Sequence, residues 1–210
     1  MYRLLKIAAP MVLVVAWGVP GYSAEKGVMI PEEDTLEIML LRQKSVRTEL
    51  KVTDEVAKRV DEYAAQQWKK AKEVSELPEK EQHTKFGAMA KENQQFLEKN
   101  LTKAQRERLD QIVLQVAGLL YVTRHEHADK LKLTADQKQK AKDLQKQARA
   151  EMEKLIEAKD AKDRHKEIVA LWEVNHGRLE KLLTDSQRAT WKQMLGAEFK
   201  GEFTHTAANK

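Results

Sequence analysis

The chain has 210 residues, 38 Lys and Arg against 33 Asp and Glu, a net charge of +5 and no cysteine. That near balance speaks against a nucleic-acid binder, which carries a one-sided basic excess, and the missing cysteine removes both disulfides and a lipid-attachment site. With 34% charged and only 6% aromatic residues there is enough apolar material for helix stripes but little for one thick core, so an elongated helical object, or one that pairs with another chain, is expected.

Met1 to Lys6 is a basic stretch carrying Arg3 and Lys6, and Ile7 to Val19 is an apolar run of 13 residues. That order marks a secretory leader, and a run interrupted by Pro10 falls short of the roughly 20 residues a membrane-crossing helix needs. Gly21-Tyr22-Ser23 and Ala24 supply small residues for cleavage, so residues 1–24 are expected to be removed as a signal peptide, with an uncleaved tether as the competing reading. The mature chain would be periplasmic or secreted and would carry a net charge of +3, because Arg3 and Lys6 leave with the leader. Residues 25–33 and 204–210 read as flexible ends.

Between those ends one unit is written twice. Glu49-Leu50-Lys51-Val52-Thr53-Asp54 aligns with Lys130-Leu131-Lys132-Leu133-Thr134-Ala135, an offset of 81 residues from Leu50 to Leu131. Leu97 to Arg106 aligns with Leu179 to Arg188 at an offset of 82. Two anchors at nearly one offset indicate a tandem duplication, with repeats over 34–118 and 119–203.

In the first repeat, Val56, Val60, Tyr63, Ala71 and Val74 recur at helical steps and predict a helix from about Asp54 to Ser75. Pro78 with Glu79 and Glu81 opens the next, whose stripe is Phe86, Met89, Ala90, Phe96 and Leu97. Val113 to Val122 is apolar almost all round and predicts a buried joint; Gly118 within it suits either a helix stop or a close-packing point. The second repeat repeats the design with Ala141, Leu144, Ala148, Met152 and Leu155, then Ile168, Leu171, Trp172, Leu179 and Leu182. No stretch alternates with period two, so the fold class is all-α: long amphipathic helices in two pseudo-repeats, as hairpins or an elongated bundle.

Leu101-Thr102-x-x-Gln105, Leu133-Thr134-x-x-Gln137 and Leu183-Thr184-x-x-Gln187 are copies of L-T-x-x-Q, and Val52-Thr53-x-x-Val56 is a worn further copy. The physics is that of a capping box: the threonine hydroxyl accepts from a free amide of the first turn while the glutamine reaches back to the threonine's own amide. At Thr53 the cap survives and the return bond is lost, since Val56 replaces glutamine.

Repeated L-T-x-x-Q in a leader-bearing, Lys/Glu/Gln-rich helical chain resembles the Spy and CpxP group of periplasmic stress proteins, whose members carry the motif in pairs. The resemblance spans nearly the whole mature chain, through the motif, its spacing and the helical pattern alone. It implies long bent helices in a cradle-shaped dimer, with ATP-independent chaperone activity in one branch and envelope-stress inhibition in another. Four motif positions in one chain, where those relatives carry two, imply that a monomer can act as a pseudo-dimer, and a homodimer stays open.

A chaperone of this type offers unfolded or partner proteins apolar side chains beside charged ones. The candidates are Trp68, Lys69, Lys70, Phe86, Met89, Trp172 and Arg178, though Met and Trp at helical spacing also serve as core. A structural or partner-specific subunit of the cell envelope is the alternative function, and a zinc-responsive protein, by analogy with another branch near the same group, a lesser one. His125 and His127 point apart on a helix, which Thr123-Arg124-His125-Glu126 would start as a further capping box; His165 and His176 are eleven residues apart, roughly 16 Å along a helix axis. Neither pair makes a metal site, and these histidines read as surface groups. No cysteine, glycine-rich phosphate loop, G-x-S-x-G or H-E-x-x-H is present, so neither an enzyme nor a cofactor is expected.

Overall fold

The computed structural model describes residues 35–157 and 164–203, so the leader at 1–24, the stretch 25–33 and the tail 204–210 lie outside the described residues. The fold is all-α, with helices and turns but no strand among the described residues. The helices are α1 (Thr35–Leu41), α2 (Lys44–Glu49), α3 (Asp54–Ser75), α4 (Glu79–Asn100) and α5 (Lys103–Ala117), then, after a 3-10 turn over Gly118–Tyr121, α6 (His125–Lys130), α7 (Ala135–Glu157), α8 (Arg164–Leu182) and α9 (Asp185–Leu195). No described helix is long and apolar enough to cross a membrane.

The chain divides into two compact units inside α5, between Asp110 and Gln111, whereas the sequence repeat divides at Gly118. In the first unit α3 and α4 form an antiparallel hairpin, held at its base by α1, α2 and the start of α5. Its buried apolar residues are Leu36, Ile38, Leu40 and Leu41 of α1, Val46 and Leu50 at α2, and Val60, Val74, Leu97, Leu101 and Leu109. Fully burying such a side chain stabilises by about 1.5–3 kcal/mol. Most of this core lies at the hairpin base; further along α3 and α4 the buried positions include the polar Gln67 and Asn93. Pro78 precedes α4 and its carbonyl accepts from the amides of Glu81 (2.8 Å) and Gln82 (3.0 Å), while the Gln82 carboxamide donates to Ser75 O (3.1 Å) and Leu77 O (2.7 Å) at the end of α3.

The second unit pairs α7 with α8 and buries Leu119, Tyr121 and Val122 of the joint beneath them. Gly118 has φ of +46° and space where a side chain would be, so it is a helix stop rather than a close-packing point. The capping box read at Thr123–Glu126 does not form: Arg124 is the residue before α6, and the Thr123 hydroxyl instead bonds the Gln145 carboxamide (2.9 Å), whose amide also donates to Leu119 O at 2.8 Å. The buried Gln145 carboxamide thus engages the hydroxyl that the Glu126 backbone amide would need for a cap.

Candidate functional site

The motif threonines start their helices as short local caps. The amides of Gln105, Gln137 and Gln187 donate to Thr102, Thr134 and Thr184 Oγ1 at 3.3, 3.2 and 3.3 Å, and the threonine amides donate back to the glutamine Oε1 at 2.9, 3.1 and 2.9 Å. At the worn copy Val56 N donates to Thr53 Oγ1 at 3.3 Å and no return bond exists.

Local sequence does not reveal where the other end of each glutamine goes. Helices α2 and α6 end alike, with Lys51 and Lys132 in the left-handed region at φ of 52° and 51°. Around each, the amide three residues past the helix closes on a carbonyl five residues back: Val52 on Arg47 O and Leu133 on Ala128 O, both at 2.9 Å. That turn leaves the carbonyls of Leu50 and Leu131 needing donors. Gln105 Nε2 donates to Leu50 O at 2.9 Å and Gln187 Nε2 to Leu131 O at 3.1 Å. One carboxamide thus closes its own helix start and a helix end more than fifty residues away. In the second unit the brace is doubled. Gln137 Nε2 donates to Leu182 O (3.0 Å), and the Gln137 and Gln187 carboxamides bond each other in both directions at 2.7 and 2.9 Å.

Above these bases rise the two hairpin arms, where the client-contact candidates lie. On α3 and α4, Tyr63 OH donates to Asn93 Oδ1 (2.9 Å), and Gln67 Nε2 donates to Tyr63 OH and to Glu92, both at 2.8 Å. The Tyr63 ring stacks on Phe96 at 3.9 Å. Burial, and then the neighbouring Glu92 carboxylate, push the Tyr63 hydroxyl up to about 12. Lys70 bonds Glu92 at 2.8 Å, which with Gln67 holds that carboxyl below the usual glutamate range. On α7 and α8, Arg178 grips both Glu151 oxygens at 2.6 and 2.8 Å and Asn175 at 2.8 Å; its bonds to Glu151 hold that carboxyl low.

The candidate residues therefore divide by role. Lys70 and Arg178 are tied across their own arms. Phe86, Met89 and Trp172 are half-buried, with Trp172 stacked on His176 at 5.5 Å. Lys69 is exposed, and Trp68 beside it is 40% exposed. Sequence reasoning missed Val174 on α8, 49% exposed, which the 82-residue offset places at the position of Glu92. That repeat register, read residue by residue, was the available signal. Trp68 and Val174 give each arm one large exposed apolar side chain among its described residues.

The histidines need correction. His125 is exposed as expected, but His127 is 1% exposed, with Nδ1 at 2.8 Å from Tyr121 O, because it takes the buried place that Val46 holds in the first unit. His176 is half-buried against Trp172, and the His165 side chain lies outside those described. Among the described residues no group of three or more His, Cys, Asp or Glu is placed to hold a metal ion. No family model, curated protein or solved structure matches this chain.

Proposed function

We propose that the chain is an exported, non-enzymatic, ATP-independent chaperone or envelope-stress adaptor of the Spy and CpxP type, which holds unfolded segments against its hairpin arms. The observation that carries the reading is the pair of exposed apolar side chains, Trp68 and Val174, one on each arm, set among charged residues. Apolar contact supplies attraction, and the surrounding Lys and Glu speed encounter while limiting the size of any dry patch. The arms are also suited to yielding locally. Their seams carry polar networks and half-buried side chains, whereas the densest apolar burial in the first unit lies at the base.

The test is suppression of light scattering by a chemically denatured client, without nucleotide, at near-stoichiometric amounts of the mature chain. Suppression is expected across unrelated clients, and Trp68→Ser with Val174→Ser should weaken it while leaving the melting temperature within about 2 °C, as surface changes do. Absence of suppression with every client, together with recovery of one stable partner from envelope extracts, would replace this reading with that of a partner-specific envelope subunit.

A further inference from the structure

We propose that Gln115 is the centre of a binding site for an extended peptide, and that the chain's own segment Ala197–Phe203 occupies it. Gln115 sits on α5 and is 7% exposed. Its Nε2 donates to Leu195 O (2.6 Å) and Ala197 O (2.8 Å), and its Oε1 accepts from the amide of Phe199 at 2.8 Å. Donating to residue i and accepting from residue i+2 is what one β-strand offers its neighbour, here supplied by a side chain. The contact reads backbone alone, so any extended segment can satisfy it.

Gly196, at φ of +62°, turns the chain out of α9 into this course, and a β-carbon there would overlap the Gln111 side chain. Residues 197–203 have neither helix nor strand, and Phe199 is their anchor, 6% exposed, with the Phe203 ring 5.3 Å from it. A buried carboxamide left without partners is costly, so the site favours being filled. The Gln115 carboxamide and the buried Phe199 ring are contacts that a competitor of like chemistry can also make: an extended segment with a free backbone and an aromatic side chain, as unfolded chains present. Naming unfolded chains as the competitor rests on the chaperone reading; occupation by the chain's own segment rests on Gln115 and Phe199 alone.

The test uses a fluorescent peptide of residues Gly196–Phe203 and the full mature chain in three forms: unaltered, Phe199→Ser with Phe203→Ser, and that double variant with Gln115→Leu. The double variant should bind the peptide at least about tenfold more tightly than the unaltered chain, since its own segment competes less, and Gln115→Leu should abolish the gain. Equal binding by all three, or none, overturns the proposal. Hydrogen exchange on the unaltered chain guards against misfolded variants. The Phe199 amide should exchange at least about tenfold faster than that of Trp191 in α9, because the segment leaves without the unit unfolding. Joint exchange of the two amides would also overturn it. Peptide binding without aggregation suppression leaves the site standing and removes the chaperone, and suppression without peptide binding does the reverse.

Discussion

At the base of the second unit, Gln137 and Gln187 bond each other and close two distant carbonyls, while at the base of the first, Val56 occupies the place of Gln137 and Gln105 reaches Leu50 alone. The helices around them start and stop at matching places, from the Thr53 and Thr134 caps to the left-handed lysines at 51 and 132. The difference teaches that the motif has two separable duties. The cap sets where a helix begins and survives loss of the glutamine; the brace joins that beginning to another helix's end and does not. Above the bases the arms differ again. The first is seamed by Tyr63, Gln67, Asn93 and Glu92, and the second has Leu144 where Tyr63 stands and an Arg178–Glu151 pair instead.

The largest expected effect comes from cutting the doubled brace. Gln187→Leu strands carbonyls, its partner amide and the Thr184 return bond, and should cost about 3 kcal/mol in urea unfolding, against about 2 kcal/mol for Gln105→Leu. Equal losses would mean that the second brace adds nothing. Val56→Gln probes the comparison from the other side: it offers Thr53 its return bond and Gln105 a partner, and should raise stability by about 1 kcal/mol, read as a higher urea midpoint at constant slope. Smaller still, and equal in the two halves, should be Lys51→Gly and Lys132→Gly. Each relieves a left-handed lysine while loosening the unfolded chain, for a net gain of about 0.5 kcal/mol by thermal melting.

The weakest effect near neutrality belongs to Tyr63, whose folded hydroxyl titrates near 12 rather than 10. A group whose proton is held more tightly when folded stabilises the fold below its unfolded value and loses that contribution as pH rises through the folded one. The first arm should therefore lose hydrogen-exchange protection between pH 10 and about 12, Tyr63→Phe should remove that dependence, and the Leu144 arm should not share it.

Much of this was legible because it is local. A threonine three residues before a glutamine specifies its cap within one turn, and α3 runs from Asp54 to Ser75 as its periodicity implies. What escaped depends on partners far away in sequence. The free amide of Gln187 looks like any exposed polar end until Leu131 O, 56 residues back, is placed beside it. Thr123 shows the converse failure: a correct local signature lost to Gln145, 22 residues on. His127 reads as a surface group by type and is buried by register, and Arg178 reads as a free cation until Glu151 faces it. Segment α1, short and apolar on most positions, carries no helical period long enough to announce it, yet it supplies Leu36, Ile38, Leu40 and Leu41 to the first core.

A double-mutant cycle on the second base tests the brace itself. Unfolding free energies of Gln137→Leu, Gln187→Leu and the double variant should be strongly non-additive, the second change costing at least about 1 kcal/mol less once the first is made, because each carboxamide is then already without its partner. Losses that add to within about 0.3 kcal/mol would show that the two glutamines act separately, and would reduce the repeated motif to a set of independent helix caps.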